Sequence, residues 1–89
     1  MSKIFYEYYR KNGKLKGVMV AMDKGVYGWS MCDSKDLFDK DKGVSIAYNR
    51  AIKAASMSPS ERDVFYKKVP TSIRSLFSKT IERAKRYYK

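Results

Sequence analysis

Residues 3–32 read KIFYEYYRKNGKLKGVMVAMDKGVYGWSMC, and this stretch decides the fold. Its first part, residues 3–10, is rich in aromatic side chains that favour extended backbone, and Asn12-Gly13 follows as a tight-turn pair. The short apolar run GVMVAM then supplies the second arm of a hairpin, over Lys16–Met22. Asp23-Lys24-Gly25 makes a second turn and Val26–Cys32 a third strand. In that third strand Val26, Gly28, Ser30 and Cys32 alternate with Tyr27, Trp29 and Met31, so one face is small and the other large. In the first strand Phe5, Glu7 and Tyr9 point opposite to Ile4, Tyr6, Tyr8 and Arg10, and one of the two sets belongs to the core.

Beyond Cys32 the composition changes to DSKDLFDKDKG, with residues suited to turns and helix starts. From Val44 the positions Val44, Ala47, Tyr48, Ala51, Ile52 and Ala55 recur at helical spacing and predict a helix. Ser58-Pro59-Ser60-Glu61 is a capping-box sequence with proline at the first helical position. It predicts a short helix over 59–68, with Val64 and Phe65 as its core contacts and Pro70 as its stop. Thr71 then caps a last helix whose stripe is Ile73, Leu76, Phe77, Ile81, Ala84 and Tyr88. The chain thus reads as a single α+β domain over 1–89, a small three-stranded antiparallel sheet followed by about three helices packed on one face.

Charge narrows the function. There are 20 Lys+Arg against 9 Asp+Glu, a formal net charge of +11, and no histidine. Such an excess matches a polyanionic partner, because counterions released from phosphates drive association whatever the base sequence. It is concentrated at the ends: residues 1–16 hold five basic residues and one acid, and residues 71–89 hold six and one. Residues 17–43 hold four basic residues and five acids. The candidate phosphate contacts are Lys3, Arg10, Lys11, Lys14 and Lys16 in the first segment. In the last they are Arg74, Lys79, Arg83, Lys85, Arg86 and Lys89.

Both basic segments also carry tyrosines, whose exposed rings offer surfaces on which unpaired bases stack. Packing is the alternative for each ring, since tyrosine buries its body and keeps its hydroxyl wet. No RNP consensus, GXXG loop, zinc-finger spacing or helix-turn-helix signature occurs, so binding is expected to tolerate sequence, with RNA preferred to DNA. A host protein is a second candidate partner, and a membrane surface is not expected because the last helix's apolar stripe suits a core. The sequence sets no oligomeric state.

Enzyme chemistry is not expected. The lack of histidine removes the commonest general base and metal ligand. Cys32 reads as a small buried residue. Asp33, Asp36, Asp39 and Asp41 could suggest a cation site, but counting from Asp39 the sixth position is Val44 and the twelfth Arg50. An EF-hand needs glycine and glutamate there, so helix-capping carboxylates are the better reading. Neither GxxxxGK[ST] nor GxGxxG occurs. The expectation is no catalytic residue, no metal, no cofactor, and residence in a reducing cytoplasm.

Residues 28–55, about a third of the chain, resemble small basic uncharacterised proteins of tailed phages. The shared pattern is GxSxC followed by DxFxKxxGxxIAxxRA. It is met by Gly28, Ser30 and Cys32, then Asp36, Phe38, Lys40, Gly43, Ile46, Ala47, Arg50 and Ala51. The resemblance implies a phage origin and action on host machinery in the host cytoplasm. One class suiting the charge is an antitoxin-like inhibitor that occupies a host RNA-cleaving toxin together with RNA. Others are an inhibitor of a CRISPR complex or a modulator of host transcription. No residue acquires a role from the pattern.

Overall fold

The structure, a computed structural model, describes residues 3–32 and 38–88. Three strands, β1 (Phe5–Lys11), β2 (Lys14–Asp23) and β3 (Val26–Met31), form an antiparallel sheet in the order β1-β2-β3. Helices α1 (Lys40–Ala55), α2 (Pro59–Tyr66) and α3 (Arg74–Tyr87) follow, with a 3-10 turn over Thr71–Ile73 before the last. The expected α+β class and element order are those observed. Asn12 and Gly13 both take positive φ, +53° and +78°, the geometry that a two-residue hairpin turn requires. Beyond the turn Arg10 pairs with Leu15 and Tyr9 with Gly17, so Lys16 sits on a bulge of β2.

The helices do not share one face of the sheet. On one side Val18 and Val20 pack against Ala47 and Ala51 of α1. On the other, Phe5, Met19, Ala21, Tyr27 and Trp29 pack against Phe65, Ile73, Phe77, Ala84 and Tyr88 of the later elements. The reason is the alternation in β3. Its large face fills the space under α2 and α3, while its small face lets α1 settle onto the backbone. A Cβ on Gly28 would lie 1.9 Å from the carbonyl oxygen of Ala47 and 2.5 Å from the nitrogen of Ala51.

This approach also turns α1 from its expected orientation. The buried residues are Gly43, Ala47, Ala51 and Ala54, whereas Ile52 and Ala55, expected in the stripe, are exposed. Small side chains win because only they allow the helix axis so near the strands.

In α2 the capping box forms as the sequence predicts. The Glu61 N–H donates to the Ser58 hydroxyl (3.3 Å) and the Ser58 N–H to the Glu61 carboxylate (2.9 Å). Phe65 is buried, but Val64, its expected companion, is 61% exposed. Thr71 makes no side-chain cap; the 3-10 turn leads into α3 instead. In α3 Thr80 joins the buried stripe, its hydroxyl donating to the Leu76 carbonyl at 2.8 Å. Among the described residues no helix is long and apolar enough to cross a membrane.

Candidate nucleic-acid interface

The amino-terminal hairpin and the carboxyl-terminal helix, the two ends that carry most of the charge, lie against each other. Phe5 of β1 stacks on Tyr88 (5.9 Å between ring centroids, 20° between planes) and meets the edge of Tyr87 at 5.4 Å. The Arg83 guanidinium sits 4.2 Å from the Phe5 ring centroid and pairs with Glu7 on the same strand face. The Tyr88 hydroxyl, already buried, shares its proton between the carbonyls of Ala21 (2.9 Å) and Lys3. Strand β1 is therefore fastened to the last two turns of α3.

This contact sorts the expected phosphate contacts into groups. Lys79, Arg83 and Arg86, spaced i, i+4 and i+7, share one flank of α3 and line a shallow depression together with Glu7 and Glu82. Lys3 is exposed at the entry to β1, where Tyr88 holds its carbonyl. Arg10, Lys11 and Lys14 are exposed around the hairpin tip. Half-buried Lys16, on the bulge, lines with Lys11 and Tyr9 a second depression that reaches Pro70 and Ser72 ahead of α3.

Two of the expected residues stand apart. Arg74 donates to the Lys67 carbonyl at 2.7 Å, and Lys85 lies 3.5 Å from the Glu82 carboxylate. They are eleven residues apart, three helical turns, and so share a flank that differs from that of Lys79, Arg83 and Arg86. Lys89 lies outside the described residues, as do Asp33 and Asp36.

The choice between the two faces of β1 is resolved. Phe5 is buried and Tyr9 packs against the core, with Glu7 at its rim, while Ile4, Tyr6 and Tyr8 are each 37% exposed on the opposite face. Among the described residues, helix α1 packs over β2 and β3 on that side rather than over β1. Lys40, at the start of α1, holds its ammonium 5.2 Å from the Tyr8 ring centroid. Lys40, a position of the sequence pattern, was not among the expected phosphate contacts, because only the fold brings it to Tyr8. Two other cations of α1 serve the opposite edge: Arg50 donates to the Trp29 carbonyl at 2.8 Å and covers that ring, and Lys53 lies over Phe65.

The displaced proton equilibria belong to structural hydrogen bonds. Burial pushes the Tyr66 hydroxyl upward; it donates to the Gly25 carbonyl (2.7 Å) and accepts from the Tyr27 N–H (2.9 Å), pinning the second turn to α2. Burial, and then Tyr87 beside it, push Tyr88 up to about 12. The backbone N–H of Ser58, and then its hydroxyl, hold Glu61 below the usual carboxylate range. Asp39 caps α1, accepting from the Lys42 N–H at 3.1 Å. Among the described residues no three metal-ligating side chains cluster. Cys32 is half-buried at the end of β3 rather than fully enclosed.

The fold and this surface define a small α+β protein with its sheet between helices and a basic rim along one edge. No protein-family model, no curated protein and no solved structure matches the chain. Several positions of the GxSxC and DxFxKxxGxxIAxxRA pattern have a packing role. Gly28, Ala47 and Ala51 make the close approach of α1 to β3, Phe38 packs against Gly43, and Arg50 covers the Trp29 carbonyl.

Proposed function

We propose that this protein is a non-enzymatic, largely sequence-tolerant RNA-binding protein that grips phosphates along β1 and the adjoining flank of α3. The observation that carries this reading is the meeting of Lys79, Arg83 and Arg86 with the hairpin that bears Lys3, Arg10, Lys11 and Lys14. Joined in this way, the two basic ends of the chain make one surface spanning the length of a strand. Binding without chemistry agrees with the absence of histidine and with the engagement of Tyr66 and Tyr88, the two tyrosines shifted upward, in structural hydrogen bonds. The setting is the cytoplasm, and, on the phage resemblance, that of an infected host.

Salt tests the reading. With about six phosphates engaged, the logarithm of affinity for an RNA oligonucleotide falls with the logarithm of salt at a slope of roughly −4 to −5. A flat dependence would sink it.

A second reading, an inhibitor docked on a host nucleic-acid enzyme, draws on β1 being paired on one side only, so that its outer edge offers main-chain groups to another protein. Pull-down from nuclease-treated host extract separates the two readings. One stoichiometric protein partner that survives nuclease favours inhibition, and loss of all partners favours RNA binding.

A further inference from the structure

We infer that the open face of β1 is a stacking platform for two unpaired bases, so that the RNA this protein takes is single-stranded. The inference rests on the RNA-binding reading and deepens it. Tyr6 and Tyr8 stand on the face of β1 that α1 leaves uncovered, each with over a third of its surface exposed. Neither ring is needed to close the core. The inward face of the same strand supplies Phe5 and Tyr9 to it, and on the outward side, among the described residues, the apolar positions of α1 pack on Val18 and Val20 of β2 and the small face of β3. Ile4 extends the patch at one end, and Arg10, on the same face two residues beyond Tyr8, extends it at the other.

Spacing selects the occupant. Residues i and i+2 of a strand are about 6.6–6.8 Å apart. Stacked bases along one strand of a duplex are about 3.4 Å apart. Consecutive bases can therefore meet both rings only where the nucleic acid is drawn out and unstacked, which paired strands do not allow. Charge is arranged to suit. The Lys40 ammonium lies over the Tyr8 ring, 5.2 Å from its centroid, so a base that stacks on that face displaces it, and the freed cation is within reach of the base's phosphate. Arg10 stands at the tip end of the row. The acids on this part of α1 are Asp39, engaged in capping the helix, and Asp41 in its first turn. Across the edge of β1 lie Lys79, Arg83 and Arg86, three cations against the two carboxylates of Glu7 and Glu82. A strand laid along β1 thus has rings on one side and cations on the other, the pairing that single-strand binders use.

The experiment compares a 12-nucleotide single-stranded RNA with a duplex of the same length, for the wild-type protein, Tyr6→Ala with Tyr8→Ala, and Tyr6→Phe with Tyr8→Phe. Thermal melts and sedimentation accompany each titration. The wild type should bind the single strand at least about tenfold more tightly. The double alanine variant should lose about tenfold or more per ring for the single strand, leave duplex affinity unchanged, and keep its melting temperature. The phenylalanine variant, which keeps the ring faces, should bind like the wild type. Equal losses for both RNAs, or no loss, would overturn the platform while leaving the phosphate-gripping reading standing. Binding to neither RNA at low salt would overturn both. A wild-type dimer that the alanine pair dissociates would assign the face to a second copy of the chain and overturn the platform too.

Discussion

Gly28 of β3 lies directly beneath Ala47 of α1, so close that a Cβ on the glycine would come within 1.9 Å of the Ala47 carbonyl oxygen. The obstacle is helix backbone, which cannot swing aside as a side chain would. Gly28→Ala should force α1 off the sheet and cost about 3 kcal/mol, the upper end for overfilling a packed interior. Urea unfolding followed by Trp29 fluorescence measures it. Ile52→Ala, on the exposed side of the same helix, should change stability by about 0.5 kcal/mol or less.

The Tyr88 hydroxyl gives the fold an alkaline limit. Its folded value is raised to about 12 from an ordinary 10.0, and Tyr66 is raised as well. A raised value means that the folded state holds the proton more tightly than the unfolded chain does. The contribution is full below pH 10 and is lost as pH rises from there through about 12. Stability measured against pH should therefore be level near neutrality and fall above 10. Tyr88→Phe should cost about 1–2 kcal/mol near neutral pH, by removing the donor to Ala21 and Lys3. It should also shrink the alkaline fall, leaving the share that belongs to Tyr66.

Glu7 occupies Arg83 and places a negative charge inside the basic rim. Both groups are partly exposed, so the pair should add no more than about 1 kcal/mol to stability. Glu7→Gln should leave the melting temperature within a few degrees of the wild type. It should also raise affinity for RNA roughly threefold to tenfold, as one more cation becomes available to a phosphate. Weaker binding by Glu7→Gln would mean that Arg83 is a structural partner of β1 rather than part of the RNA surface.

The two flanks of α3 allow a comparison at equal charge. Arg83→Glu with Arg86→Glu and Arg74→Glu with Lys85→Glu each change the net charge by −4. If location matters, the first pair should weaken RNA binding at least about tenfold more than the second, with the larger drop in salt slope. Equal losses would mean that only total charge counts. The Arg74 pair should register mainly in stability, since Arg74 is bonded to the end of α2 at the Lys67 carbonyl.

The strands were readable because alternation and turn pairs are local signals, and β3 carried its two-faced pattern openly. The capping box at Ser58 and Glu61 was readable for the same reason. What the sequence did not disclose was which surface each face would meet. Ala47 and Ala51 stood in the expected stripe of α1 and are buried, but Ala54 lacks the bulk that announces a core position, so Ile52 was expected where Ala54 took the buried place. Val64 and Phe65 are neighbours, and only the direction of α2 decides that the second goes inward. The candidate site was legible as two basic segments. The i, i+4, i+7 spacing of Lys79, Arg83 and Arg86 was also visible, but its value depends on β1 lying beside it. The meeting of Lys40 with Tyr8 had no signal, since the two are 32 positions apart in the chain.

One strand thus serves two masters by turns. In β1 the odd positions Phe5 and Tyr9 answer to the protein's interior, with Glu7 at its rim, and the even positions Tyr6 and Tyr8 answer to the outside. The two kinds of demand are interleaved residue by residue and yet independent. Tyr6 or Tyr8 can be exchanged without refolding the sheet, so, on the RNA-binding reading, this row is where binding changes at little structural risk.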